Sequence, residues 1–271
     1  MKALFALIIL ETRRLSRRPW ILAGAAAGLL LALVVHGVAA THHDMAREDS
    51  LRQGAATLLL LGGLALAIAL GSAALNRDAE NGHFGMLVGS GASRPGLVFG
   101  AVGARVAMMV VIIGAWAIVL QAGSVVLKLG LDGPLAVHTL AVGEGLLLAM
   151  IACAAASSVV GPAAAGLFGG GIYVLAQAVV NLRAASTQGL IGTANTGVDL
   201  LYYIAPRAVT SPMLAELQLR NAAGAAAPRV EINGNTVFVH AAGWDTVVWT
   251  LAWCVLLALV CAAGLRRRPL N

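Results

Sequence analysis

The stretch that decides the fold is residues 53–75, QGAATLLLLGGLALAIALGSAAL, which lies between Arg52 and Arg77 and contains no ionisable side chain. An α-helix rises about 1.5 Å per residue, so about 20 residues cross the ~30 Å hydrocarbon core of a bilayer. A charge at the bilayer centre costs a few kcal/mol or more, so an uncharged run of this length is typical of a membrane span. We therefore expect residues 53–75 to form a transmembrane helix.

The composition of the whole chain agrees with this reading. Of the 271 residues, 59% are apolar and 11% are charged, whereas a soluble domain carries about 25% charged residues. These values exclude an ordinary soluble domain. The net charge of +6 indicates membrane orientation rather than nucleic-acid binding, because the arginines flank apolar runs. The 32 glycines suit helices that pack closely in lipid.

Further charge-free intervals extend the pattern to six spans. The uncharged stretch between Glu144 and Arg183 is too long for one crossing. We divide it at Gly161-Pro162, because proline suits the first turn of a new helix. The sequence thus predicts an all-α polytopic membrane protein with six transmembrane helices, at residues 20–40, 53–75, 105–127, 135–160, 162–182 and 244–265.

Lysine and arginine lie mostly at one set of span ends. Residues at these ends are Lys2, Arg13, Arg14, Arg17, Arg18, Arg77, Arg94, Arg266, Arg267 and Arg268, and the short loops on the other side hold Arg47, Arg52 and Lys128. Since cytoplasmic loops are enriched in these residues, both termini are expected in the cytoplasm. The expected location is a bacterial inner (plasma) membrane.

Residues 1–19 are predicted to form an amphipathic interfacial helix. Residues 3–10 are apolar, and four arginines between 13 and 18 can reach lipid phosphates. The pair Arg13-Arg14 also imitates the start of an export signal. That alternative is disfavoured because the following apolar run is long enough to span and the rest of the chain is itself membrane-embedded.

The segment 183–243 is expected to be a small extracytoplasmic helix and hairpin before the last span. Ser211-Pro212 and Gly224 bound a predicted helix at about 212–222. Asn233-Gly234 is a hairpin signal between strands at 229–232 and 235–239. This segment could gate an exit, contact a periplasmic or extracellular partner, or serve only as a lid. Aromatic side chains suited to a membrane interface are Tyr202, Tyr203 and Trp244.

The loop at residues 76–104 carries a recognisable order of residues. An acidic residue, Glu80, is followed by Gly82, the apolar stretch 86–88, the pair Ser93-Arg94, and Gly103 with Arg105. This order resembles the first intracellular loop of ABC-2 type transporter permeases. The predicted N-terminal helix, six spans and extended outer segment also match that family, so the resemblance covers the whole chain as a single domain, 1–271.

The resemblance implies a permease whose loop forms a coupling helix on a separate nucleotide-binding subunit. The implied contact residues are Asp78, Glu80, His83, Phe84, Met86 and Arg94. Implied partners are an ABC ATPase, a second permease in a homodimer or heterodimer, and the lipid bilayer, with no nucleic acid. Without the resemblance, an ordinary solvated connector with an acidic cluster would be the favoured interpretation of this loop.

We expect no enzymatic activity and no cofactor in this chain. A phosphate-binding loop of the G-x-x-x-x-G-K-[ST] type requires a lysine, and neither Lys2 nor Lys128 lies in that motif. ATP would therefore be bound by the partner subunit.

Two other functions stay open: a membrane anchor that recruits partners without transport, and an intramembrane hydrolase that would pair Ser157 or Ser158 with His36.

Glu144 is the ionisable residue that the topology does not explain. If the span begins near Leu135, Glu144 lies about 14 Å inside the membrane, where it could line a substrate path or pair across a dimer interface. Alternatively, the span begins later, or a protonated carboxyl bonds to a neighbouring helix. His36 and His138 are expected to be interfacial or packed rather than metal ligands, and Arg105 to extend to the inner headgroups.

Overall fold

The computed structural model describes residues 2–42, 45–72, 75, 82–89, 93–187, 195–208, 230–232, 235–237 and 244–266. The helices are α1 (Lys2–Ser16), α2 (Pro19–Ala40), α3 (Met45–Thr57), α4 (Gly63–Ser72), α5 (His83–Gly89), α6 (Arg94–Val126), α7 (Gly133–Ser157), α8 (Pro162–Thr187), α9 (Asn195–Ile204) and α10 (Trp244–Arg266). A π-helical turn, Leu58–Gly62, connects α3 to α4. Strands β1 (Val230–Ile232) and β2 (Asn235–Val237) pair antiparallel.

Among the described residues, six helical stretches are long and apolar enough to cross a membrane, as the sequence predicts. They are Pro19–Ala40, Arg47–Ser72, Arg94–Val126, Gly133–Ser157, Pro162–Arg183 and Asp245–Gly264. The largest difference from the predicted bounds is at the third span, which begins at Arg94 rather than at 105. The hydroxyl of Ser93 caps this helix by accepting from the Gly96 N–H at 3.2 Å, and Pro95 suits its first turn.

The spans alternate in direction, which gives the bundle two ends. The α1 end holds α1, α5, the start of α6 and the ends of α4, α7 and α10. The Asp132 end holds the turn between α6 and α7, the start of α3 and the helix α9. Helix α1 packs along the first turns of α6, where Leu7 lies against Gly100 and Ile8 against Gly103. The predicted N-terminal helix is thus present, and its position at the membrane surface stays a prediction.

Helix α7 is the centre of the bundle. Its apolar window is 67% buried, more than that of any other span. Glycines on three neighbouring helices allow this enclosure. A Cβ on Gly63 of α4 or Gly169 of α8 would overlap an α7 side chain, and a Cβ on Gly264 of α10 would overlap Ser158, which follows α7. Small residues at helix contacts let backbones approach closely, which is how helices associate in lipid.

The contact between α2 and α6 depends on two rings and two glycines. The Trp116 indole lies on Gly28 and donates from Nε1 to the Ala25 carbonyl at 3.0 Å. Near the Asp132 end, the His36 ring lies on Gly123, with Nε2 3.1 Å from the Leu120 carbonyl oxygen. His36 is therefore a packed histidine, as expected.

The turn between α6 and α7 is tied to the start of the second span by an ion pair. Arg52 binds Asp132 with two N–H groups, Nε to Oδ2 at 2.8 Å and Nη2 to Oδ1 at 3.1 Å. The Asp132 carboxylate also caps α7 by accepting from the Leu135 N–H at 3.1 Å. Gln121 holds the Asp132 backbone at both its N–H and its carbonyl. Bidentate arginine pairs of this kind add geometric specificity as well as energy.

The strand pair lies where the hairpin signal predicts it. Val230 pairs with Val237, Glu231 with Thr236, and Ile232 with Asn235, on either side of residues 233–234. The predicted helix at 212–222 lies outside the described residues.

Replacing Gly28 by alanine should destabilise the fold, because the new methyl group would overlap the Trp116 indole. We expect about 1–3 kcal/mol of destabilisation, typical of overpacking, measured by thermal unfolding in detergent. Gly24→Ala is the matched control, since Gly24 lies one turn earlier on α2 with no atom within 4 Å of an added Cβ. Equal unfolding temperatures for the two variants would contradict the described α2–α6 contact.

Candidate functional site

The predicted coupling segment contains a short helix beside the third span. Helix α5 follows Gly82, whose φ of 68° is a left-handed conformation that glycine adopts freely. Leu87 and Val88 are partly buried against the core, whereas Met86 is 69% exposed. Helix α5 is therefore anchored on one side and presents Met86 on the other.

The other predicted contact residues are placed less completely. His83 and Phe84 form the first turn of α5, and Arg94 opens α6. Asp78 and Glu80 lie outside the described residues. The structure thus brings Met86 and Arg94 to the α1 end of the bundle, on two consecutive helices.

Arg105 does not extend to the headgroups, so that expectation is wrong. The helix begins at Arg94, which places Arg105 three turns inside α6, and its side chain is 2% exposed. Its Nε donates to the Leu70 carbonyl at 3.2 Å and its Nη1 to the Ala101 carbonyl at 2.8 Å. The last carbonyls of a helix lack partners within it, and Leu70 lies in the last turn of α4. Arg105 therefore fastens the end of the second span to the third.

Glu144 lies in the middle of its span, as the sequence predicts. Helix α7 runs from Gly133 to Ser157, so Glu144 is about 17 Å from one end and about 20 Å from the other at 1.5 Å per residue. This position rules out a span that begins late and leaves Glu144 at the interface. Its Oε1 atom is enclosed by protein, and the carboxylate is within electrostatic range of the Cys254 thiol on α10.

A second polar feature at this depth is the segment 205–208, which we call the re-entrant segment. It follows α9 and returns into the bundle, where the Ala208 N–H donates to the Ala176 carbonyl of α8 at 3.3 Å. Ala176 precedes the end of its span, at Arg183, by about 10 Å. The Ala208 methyl also lies 3.5 Å from the position of a Cβ on Gly145. Non-helical backbone therefore reaches the layer of Glu144, where the sequence predicts only an outer segment.

The backbone of the re-entrant segment is bonded by its neighbours. Trp249 donates from Nε1 to the Ala205 carbonyl at 2.8 Å, and the Thr250 hydroxyl donates to the Arg207 carbonyl. All four residues of the segment are buried, and Pro206 has no N–H to satisfy. Irregular backbone at membrane depth is tolerated only where protein encloses it or it lines a water-filled cavity, and here α8 and α10 supply the enclosure.

Arg207 of the re-entrant segment and Arg183 of α8 both stack on the Tyr202 ring of α9. The guanidinium carbons of Arg183 and Arg207 lie 3.9 and 3.7 Å from the centroid of the Tyr202 ring. Arg207 also donates from Nε to the Tyr202 carbonyl at 2.7 Å and lies 3.6 Å from Asp245. Cation–π stacking of this kind strengthens when the groups are desolvated.

The structure does not support the hydrolase or metal-site alternatives within the described residues. Ser157 ends α7 at the α1 end, whereas His36 lies near the Asp132 end, so nucleophile and base are a membrane thickness apart. His138 is fully buried, and the part of the chain that the structure describes contains no group of three His, Cys, Asp or Glu residues able to hold a metal.

No protein-family model matches this chain, and no curated protein matches it.

Replacing Thr250 by valine should loosen the re-entrant segment, because the Arg207 carbonyl would lose its donor inside the bundle. An unsatisfied buried acceptor costs about 1–3 kcal/mol, and we expect a loss of that size in thermal unfolding. Thr250→Ser keeps the hydroxyl and is expected to stay close to the unmodified chain. If valine and serine variants were equally stable, this hydrogen bond would not hold the segment.

Proposed function

We propose that this chain is the permease subunit of an ABC-2 type ABC transporter. In this role it couples ATP hydrolysis by a separate nucleotide-binding subunit to export or extraction of a substrate across or from the membrane. The six apolar helices and the order of residues in the 76–104 loop support the proposal. The ATPase is a partner, and a second permease, identical or related, completes the path.

The observation that carries the proposal is the exposed face of α5. Met86 points away from the bundle on a short helix between the second and third spans. Fully burying a side chain of this size contributes about 1.5–3 kcal/mol, which suits an anchor in a cleft of the ATPase. Arg94, eight residues farther on at the start of α6, offers a directional polar contact at the same end of the bundle.

Two contacts in the spans that flank α5 would carry a movement of α5 into the bundle. On one side, Arg105 joins the last turn of α4 to α6 through the Leu70 carbonyl. On the other side, Ser93 caps α6, and α6 continues without a break to Val126 at the Asp132 end. A displacement of α5 by the ATPase would therefore act on the second and third spans together, which is what coupling requires.

The test is capture of the ATPase with the tagged chain from its own membranes. We expect an ABC ATPase to co-purify and Met86→Asp to lose it, because a charge at this position opposes burial in an apolar cleft. Arg94→Glu should weaken capture as well.

The control is Leu131→Asp, which places the same charge at a side chain that is 83% exposed at the opposite end of the bundle. This variant should capture the ATPase normally. Absence of any ATPase, or capture that Met86→Asp leaves unchanged, would refute the proposal. An ATPase that binds but whose turnover the permease does not alter would instead favour a non-transporting anchor.

A further inference from the structure

The side of α1 that faces away from α6 is apolar along the helix and basic where the helix ends. Phe5, Ile9 and Leu10 are 63%, 53% and 49% exposed. Arg13 in the last turn and Arg17 directly after the helix are exposed as well. Residues four apart lie about 40° apart around a helix, so Phe5, Ile9 and Arg13 share one side. We call Phe5, Ile9, Leu10, Arg13 and Arg17 the α1 face.

The other two arginines of this stretch are placed differently. The Arg14 guanidinium is directed to Glu11, with Nη1 3.3 Å from Oε2, and Glu11 is 3% exposed. Arg18 is half-buried between α1 and α2. The exposed positive charge of this stretch is therefore concentrated at Arg13 and Arg17.

Helix lengths favour a position of the α1 face at the level where lipid headgroups meet acyl chains. Helix α2 begins at Pro19, and its 22 residues are about 33 Å long, close to the ~30 Å hydrocarbon core. Arg17 precedes that helix by two residues. Leu7, on the opposite side of α1, packs on Gly100, about 9 Å from the start of α6. Since the 33 residues of α6 are about 50 Å long, its first turns extend beyond the hydrocarbon.

An anionic phospholipid supplies what both parts of the α1 face require. Water would leave the phenylalanine, isoleucine and leucine side chains exposed together, whereas acyl chains would cover them. Guanidinium groups match the geometry of a phosphate, to which they can donate two hydrogen bonds. The same face of a second copy carries only positive charge and so offers no partner to the arginines.

We propose that the α1 face binds an anionic phospholipid of the leaflet at the α1 end, with Arg13 and Arg17 on its phosphate and Phe5, Ile9 and Leu10 against its acyl chains. A zwitterionic phospholipid carries a cation beside its phosphate, so the face selects lipids with a net negative charge. Lipid selection by α1 does not rest on the proposed permease function.

The test is photo-crosslinking of the full chain in nanodiscs that contain equal parts of phosphatidylglycerol and phosphatidylcholine. Ile9→p-benzoylphenylalanine places the photoreactive group within the α1 face at an exposed position, and mass spectrometry counts each attached lipid. We expect phosphatidylglycerol to be the preferred adduct. In this background Arg13→Gln and Arg17→Gln should each lower the preference about fivefold, since one arginine near a charged membrane surface contributes about that factor.

Two controls separate the α1 face from positive charge in general. Arg14→Gln removes the same charge from the same helix, and Lys128→Gln removes an exposed charge at the opposite end of the bundle. Both variants should keep the preference for phosphatidylglycerol. Thermal unfolding identifies whether loss of the Arg14–Glu11 pair destabilises the chain, in which case Lys128→Gln is the control that decides.

Three results would overturn the proposal. They are equal labelling of the two lipids by the unmodified face, a preference that survives Arg13→Gln and Arg17→Gln together, and a loss in Lys128→Gln as large as that in Arg13→Gln. A double variant that keeps its lipid preference but no longer captures the ATPase would assign the face to the ATPase instead. The expected result for the double variant is lost lipid preference with normal ATPase capture, so the two proposals can fail separately.

Discussion

The absence of hydrogen-bonding partners in hydrocarbon is the constraint on which this structure depends. Every polar group at span depth has to be satisfied by protein, and the bundle is arranged around the few that exist. Arg105 is the clearest case, since the residue is 2% exposed and its guanidinium bonds to carbonyls of α4 and α6. The same rule places Trp249 and Thr250 of α10 beside the carbonyls of the re-entrant segment.

The two halves of the bundle differ in how completely α7 is enclosed. Toward the α1 end, every residue of α7 from Leu148 to Ala155 is buried, Arg105 joins α4 to α6, and Ser93 caps α6. Toward the Asp132 end, α7 exposes Val137 and Leu140, and the re-entrant segment fills the space between α8 and α10. Glu144 lies at the boundary between the halves.

Most of the fold could be predicted from local signals in the sequence. Charge-free intervals gave the six spans, Gly161-Pro162 marked the start of α8, and Asn233-Gly234 marked the strand pair. The depth of Glu144 followed from counting residues along one helix. Each of these inferences needs only residues that are close in the chain, and so periodicity and helix rise are sufficient for them.

What the sequence did not predict depends on contacts between distant residues. The Arg105–Leu70 and Arg52–Asp132 contacts join residues 35 and 80 positions apart, and no local pattern pairs them. The re-entrant segment is a short stretch whose burial depends on donors supplied by α10, more than 40 residues later.

Hydrogen exchange of residues 205–208 in nanodiscs tests the enclosure of polar backbone most directly. Our account predicts that the Ala208 amide exchanges as slowly as amides in the middle of α7, whereas exchange as fast as in an exposed loop would contradict it.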